Sequence, residues 1–241
     1  MPKRSRLYRG MQEKLGTAKE QVAVDQAIER LRDMADVSLS RSYKNARNRK
    51  KFDQTVELVM HLGIDPKQAD QMIRGSVSLP HGIGKTKRVI AFCEEDQVDK
   101  AKAAGAVEAG GDELVEKIQG GWMDFDVAVA HPKLMGRVGK LGRILGPSGK
   151  MPSPKSGTVT PKIEEAIKEY AAGRIEYRND AGGNIHAVVG RMSFEPAKLK
   201  ENIEFFVGHI RKAKPATAKG QFIRRVCVSG TMTPSVTVAV D

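Results

Sequence analysis

Apolar residues recur at two periods along this 241-residue chain, and the switches between those periods mark out its elements. Residues 20–34 set Val24, Ala27, Ile28 and Leu31 on one side of a 3.6-residue repeat, which predicts an amphipathic helix. KFDQTVELVMHLG (51–63) alternates at Phe52, Val56 and Leu58 and is rich in β-formers, so it predicts a strand. Asp65-Pro66 supplies an N-cap and first helical residue for a short helix closing near Gly75, and 76–82 is extended. Residues 88–93 form a short buried strand, followed by helices over about 96–104 and 112–119 and a second buried strand, WMDFDVAVA (122–130). Thr160-Pro161 caps a helix with Ile163, Ala166, Ile167 and Tyr170 inward, stopped by Gly173. RIEYRND and NIHAVVG then flank Ala181-Gly182-Gly183 as a hairpin. Ser193 to Ile210 is a helix with Leu199, Ile203, Phe206 and Ile210 inward, and FIRRVCVSG and PSVTVAV close the chain as strands.

The alternation of short strands and helices is confined to the middle, while both flanks are richer in longer strands. This predicts an α/β (Rossmann-like) domain at 83–173 inserted into a discontinuous α+β domain built from 1–82 and 174–241. Two chain crossings imply a paired hinge.

Charge supports the same division. The net charge is +12. Residues 1–82 hold 16 basic against 10 acidic side chains and 175–241 hold 10 against 6, whereas 83–174 are near balance at 15 against 13. Within that middle, 133–162 carries Lys133, Arg137, Lys140, Arg143, Lys150, Lys155 and Lys162 with no carboxylate. A solvated face mixes its signs, so such a run points to a phosphate-facing surface. RSYKNARNRKK (41–51) holds six basic residues, and residues 1–20 add a basic extension that is either a disordered tail or a phosphate-binding arm.

Composition excludes several classes. No apolar run is long enough to span a bilayer, and no apolar stretch follows the charged N-terminus as a secretory signal requires. Two cysteines without CxxC spacing fit a reducing cytoplasm and no Cys-based zinc site. The five histidines are scattered, so no metal or other cofactor is expected. Gly84-Lys85-Thr86 has Leu79 where a P-loop needs its first glycine, and Gly149-Lys150 has Ile144 there and Met151 for the hydroxyl residue. A nucleotide-dependent α/β enzyme therefore has only a broken motif behind it. Aromatic residues are 5% of the chain, too few for extensive base stacking. The Gly- and Pro-interleaved cations of 140–157 suit recognition of folded RNA through phosphates and 2′-hydroxyls, or else form a rigid surface loop.

LGRILGPSGKMPSPKSGTVT (141–160) closely resembles the signature of the ribosomal protein L-one family, the large-subunit protein of the mobile stalk. KFDQTVEL (51–58), GIDPKQADQMIRGSVSLPHGIGK (63–85), GGWMDFDVAVAHP (120–132), GRIEYRND (173–180) and GTMTPSV (230–236) match in collinear order, so the resemblance covers roughly 20–240. It implies a two-domain fold with both termini in the domain that grips large-subunit rRNA, and no enzymatic activity. It also implies assistance to the movement and release of exit-site tRNA, repression of the chain's own mRNA, and a monomer when off the ribosome. A messenger-specific repressor acting away from the ribosome is the alternative binding role.

By position, the resemblance assigns rRNA contact to Lys51, Phe52, Thr55 and Glu57, to Arg178 and Asp180, and to Arg225, Thr231, Met232 and Thr233. On pattern alone, Phe52 and Met232 would be core residues. A second RNA or tRNA surface would use Lys133, Arg137, Lys140, Arg143, Lys150 and Lys155. Four departures stand out: Thr233 where the family has glycine, Arg225 where serine is common, Ala181 after the aspartate, and Ser148 for an arginine. A β-branched Thr233 is expected to resist positive φ and obstruct close backbone approach.

Overall fold

A computed structural model of the chain describes residues 6–15, 20–42 and 52–239, with the side chains of 6, 7, 37–42 and 155 outside that description. Helices α1 (Arg6–Leu15) and α2 (Val24–Ser42) precede strands β1 (Thr55–Leu62) and β2 (Arg74–Val77). Strand β3 (Val89–Phe92), helix α3 (Glu95–Ala103), β4 (Glu108–Gly110), α4 (Asp112–Gln119) and β5 (Val127–Ala130) follow. Two single-turn helices, α5 (Met135–Val138) and α6 (Gly142–Leu145), lead to α7 (Ile163–Ala171). Last come β6 (Ile175–Arg178), β7 (Asn184–Arg191), α8 (Pro196–Lys212), β8 (Ile223–Gly230) and β9 (Val236–Val238). The chain divides into two compact units, one of residues 1–73, 79–84 and 177–241 and the other of 74–78 and 85–176.

The first unit is built on an antiparallel sheet of order β7-β1-β8-β9. Along β1 the even positions Val56, Leu58, Met60 and Leu62 are buried, and the odd positions are not. Ile185, Ala187 and Val189 of β7 and Val226 and Val228 of β8 join them in the core. Helices α2 and α8 cover that face with Ala27, Ile28, Leu31 and Met34 and with Leu199, Ile203, Phe206 and Ile210, the 3.6-residue stripes that the pattern predicts. A bulge in β7 sets Val56 against Gly190 but Glu57 against Val188, leaving Val189 as the extra residue. Its carbonyl accepts from Nδ2 of Asn202, at 2.8 Å. The same fully buried Asn202 donates to Gly82 O (3.1 Å) and accepts from His81 N (3.2 Å), so one amide ties the 79–84 segment to α8 and β7.

In the second unit a parallel sheet of order β4-β3-β5 is covered on both faces, as parallel sheets require. Val89, Ala91 and Val129 pack with α3 and α7 on one side. Ile90, Phe92, Ala128 and Ala130 pack with α4 and the 134–145 helical turns on the other. Val159 adds a parallel bridge to Ala130, placing the end of the signature segment beside β5.

The structure differs from the sequence reading at identifiable places. Residues 6–15, the described part of the basic extension, form α1 and bury Met11 and Leu15, an i, i+4 pair. After Asp65-Pro66 there is a turn and a three-residue 3₁₀ helix (Ala69–Gln71) that buries nothing, so no packing offsets the cost of a longer helix. Only 127–130 of the 122–130 run is strand, because Trp122 and Phe125 turn onto the α4 core while Arg88 N–H and its side chain hold Asp126. The chain reverses at 180–184 in a hairpin turn closed by an antiparallel bridge between Asn179 and Ile185, but beyond that bridge β6 pairs with β2 in a two-stranded sheet and β7 with β1. Pro161 does not open the third long helix of the middle. Thr160 Oγ1 accepts from Lys162 N, and α7 starts at Ile163.

Asn202→Leu keeps the volume and removes three buried hydrogen bonds. The expected loss is about 2–4 kcal/mol of unfolding free energy, read as a lower urea midpoint. An unchanged midpoint would show that water satisfies the 79–84 backbone equally well.

Candidate nucleic-acid interface

With one face of the first sheet covered by helices, the other carries the odd residues of β1 and their neighbours. Thr55, Glu57, Val59 and His61 stand in a row on β1, with Glu57 opposite Ser229, Val59 opposite Cys227 and His61 opposite Arg225 on β8. At about 3.4 Å per residue that row is roughly 20 Å long.

One end is a locked apolar knuckle. Thr231 Oγ1 accepts from Thr55 N at 3.1 Å, and Thr231 N donates to Thr55 O at 3.1 Å. Gln54, only 2% exposed, uses its Oε1 to accept from Met232 N at 3.0 Å. Thr233 Oγ1 accepts from Gly230 N at 2.8 Å and closes the turn on itself. No non-glycine residue among those described has positive φ, so Thr233 is not strained at the family's glycine position, contrary to expectation. Gly230 is needed for proximity: a Cβ there would lie 2.7 Å from Met192 and 2.9 Å from Thr233 Oγ1. This frame leaves Phe52 55% exposed and Met232 57% exposed, correcting the core role that pattern alone gave them. Phe52 lines a shallow depression of about 460 Å³ together with Arg32, Asp36, Asp53, Gln54 and Met192. Asp53 is held by Ser193, whose N–H and Oγ donate to its carboxylate at 3.1 and 2.8 Å.

The far end is polar. Asp180 Oδ1 accepts from Gly182 N (2.8 Å) and Asn184 N (2.7 Å), and Asn184 Nδ2 reaches Oδ2 at 3.1 Å. These bonds, led by Asn184 N–H, hold the Asp180 carboxyl down at about 2. The carboxylate thus builds its own turn, and Asn184 Oδ1 passes the connection on to His61 Nδ1 at 2.9 Å. Arg225 is exposed beside His61. Arg178 is exposed on β6, off this sheet, and Ala181 sits on the exposed turn. Lys51 lies outside the described residues, as does most of the 41–51 cluster.

In the second unit the basic stretch is partly spoken for. Lys133 pairs with Glu94 at 3.1 Å, Arg137 with Asp112 at 2.6 Å and Lys162 with Glu165 at 3.1 Å. Lys150 Nζ donates to the carbonyls of Met123 (3.1 Å) and Phe125 (2.6 Å), fastening its loop to the fold. Lys140 and Arg143 are exposed and have no ion pair among the described residues, and the Lys155 side chain lies outside the description. The signature loop turns its hydroxyls inward. Thr158 Oγ1 accepts from Ser153 N at 2.8 Å, and buried Tyr170 donates to Ser156 O at 2.6 Å. Ser148 Oγ donates to Leu145 O at 3.0 Å, capping the end of α6 where the family carries a cation. Gly84-Lys85-Thr86 leads into strand β3, not a helix, so it offers no helix N-terminus to a phosphate.

Both units, with an antiparallel sheet that no described helix covers on one face and a parallel sheet covered on two, define a mixed α/β protein whose candidate residues sit on framework rather than in an enclosed pocket. The sequence profile of the ribosomal protein L1p/L10e family matches residues 42–234. The chain is 50% identical to the large ribosomal subunit protein uL1 of Nocardioides sp. over 191 residues, covering 79% of this chain and 80% of that protein. It is 47% identical to the large ribosomal subunit protein uL1 of Kosmotoga olearia over 236 residues, covering 98% and 96%. The chain belongs to the ribosomal protein L1p/L10e family, a family of ribosomal proteins and not of enzymes.

Position-by-position comparison missed Gln54, His61, Asn184 and Arg224. The signal for Gln54 was in the pattern: it continues the buried even positions of β1 and is polar, so it must have a partner inside. Gln54→Leu frees Met232 N–H and is expected to speed its amide exchange at least tenfold, while exchange in α8 stays unchanged.

The Asp180 carboxyl sits below its ordinary value near 3.9, so its stabilising contribution is complete above about pH 4 and is lost as pH falls towards 2. Asp180→Ala should therefore melt lower than the parent chain at neutral pH, and the gap should close between about pH 4 and 2. A gap independent of pH would detach the turn from the ionised carboxylate.

Proposed function

We propose that this chain is a structural component of the large ribosomal subunit that grips a folded segment of large-subunit rRNA with the open face of its first sheet. The observation that carries this is the knuckle. Two large apolar side chains, Phe52 and Met232, are held exposed on either side of a Thr55–Thr231 backbone lock, in a chain whose relatives are named as large-subunit proteins. Exposed apolar groups on rigid framework favour a partner that excludes water there, and an RNA sugar–base surface does so while the outward polar groups meet its 2′-hydroxyls. Lys140 and Arg143 of the second unit are then the cations free to meet exit-site tRNA. Assistance to tRNA release and repression of the chain's own mRNA follow the same family reading, the second by mimicry of the rRNA segment.

The test is equilibrium binding to the folded stalk segment of large-subunit rRNA beside a base-scrambled duplex of equal length. The parent chain should prefer the stalk at low and moderate salt. The double variant Phe52→Ala/Met232→Ala should lose about 10- to 100-fold on the stalk, the worth of one or two stacking contacts. Its salt slope should not change, because no charge is removed. Equal binding of both RNAs that collapses with salt would reduce the interaction to net charge and overturn the proposal.

A further inference from the structure

The far end of the open face has a feature that neither alternation nor family position accounts for. In β8 the register slips. His61 pairs with Arg225, but Leu62 pairs with Ile223, so Arg224 is an extra residue in the strand. Successive strand residues point to opposite faces; a bulge cancels that alternation. Arg224 and Arg225 are accordingly both exposed, and both line one groove of about 450 Å³ with Val59, His61, Asn184 and Cys227. No carboxylate among the described residues lines it. Neither guanidinium has an ion pair or hydrogen bond among the described residues. Gly63 makes the bulge possible: its N–H donates to Phe222 O at 2.7 Å, and a Cβ on it would lie 2.3 Å from Gln221 O and 3.3 Å from Arg224 Nε.

The third member of the groove is oriented. Asn184 Nδ2 donates to Asp180, so Asn184 Oδ1 is the acceptor, and the proton in its 2.9 Å contact with His61 belongs to His61 Nδ1. The neutral ring therefore presents Nε2 as a lone pair, with no partner among the described residues. Two unpaired guanidiniums call for an anion with several oxygens, and a lone-pair nitrogen beside them calls for a hydroxyl donor. A phosphodiester with its neighbouring ribose 2′-hydroxyl supplies both; DNA supplies only the first.

We propose that Arg224, Arg225 and His61 form a ribonucleotide-backbone clamp, in which the bulged arginines hold one phosphate and His61 Nε2 accepts from the adjacent 2′-hydroxyl. This rests on the rRNA reading above and deepens it. The clamp lies roughly 20 Å along the sheet from the Phe52–Met232 knuckle, so one RNA segment touches both ends.

The experiment uses the full chain and the folded stalk RNA. Arg224→Gln/Arg225→Gln should weaken binding about 10- to 100-fold at low salt and lower the slope of log affinity against log salt by about 1. Unchanged melting would show that the exposed substitutions leave the fold intact. Binding is also measured with a pool of the same RNA sparsely substituted with 2′-deoxynucleotides. At one position, deoxy substitution should weaken binding to the parent chain and have no effect on His61→Ala. An unchanged salt slope in the arginine variant, or identical interference maps for His61→Ala and parent, overturns the clamp. If the parent chain itself shows no preference for the stalk over the scrambled duplex, the rRNA reading fails, which is distinct from a specific parent whose clamp variants behave like it.

Discussion

The pairing of β1 on both edges fixes the rest of the first unit. Bonded to β7 on one side and β8 on the other, it cannot slip by one residue without turning Leu58, Met60 and Leu62 to solvent and Glu57 and His61 into the core. Each buried aliphatic side chain contributes about 1.5–3 kcal/mol, and burying an unpaired carboxylate costs more than any one of them returns. The register is thus set by the core. The row of polar residues on the open face is its necessary complement, and any partner of that face meets Thr55, Glu57, Val59 and His61 in that order.

What lies around β1 shows why part of the fold was legible in the sequence and part was not. The stripes of α7 and α8 and the alternation of β1 are local, and the structure reproduces them nearly residue for residue. Partner choice is not local. RIEYRND and NIHAVVG are separated by a turn signal and do turn, bridged at Asn179 and Ile185, yet beyond that bridge β6 joins β2 while β7 joins β1. Phe52 and Met232 misled for a related reason. Both are large and apolar near strand ends, but Gln54 already fills the inward position and the Thr231 lock ends the sheet, so neither has a core left to enter. The spacing of Met11 and Leu15 marked α1 in advance, and the density of charge around it hid the mark.

Charge counted along the sequence leaves out the pairing that the fold brings about across space. The run at 133–162 has no carboxylate of its own, but α3, α4 and their flanks bring Glu94 and Asp112 to it across space, and Lys150 is consumed by backbone carbonyls. Conversely, two consecutive arginines in a strand ordinarily point to opposite faces; here the bulge brings both to one groove. Sign balance is a property of the fold, and the sequence supplies only its inventory.

In the proposed rRNA-binding role, the two ends of the open face make physically different contributions. The knuckle is held by hydrogen bonds between neutral groups, and what it offers a partner is shape and apolar contact, terms that salt scarcely alters. The guanidinium end offers charge, whose contribution falls as counterions compete. Two of the four departures from the family's pattern, Thr233 and Arg225, bear on these ends. Thr233 preserves the knuckle's turn through its own hydroxyl, so the loss of glycine there leaves the shape intact. Arg225, where serine is common, adds cationic character to the other end. On the rRNA-binding proposal, shape retained at one end and charge gained at the other would leave selectivity with the knuckle and make affinity more sensitive to ionic strength than a serine at 225 would.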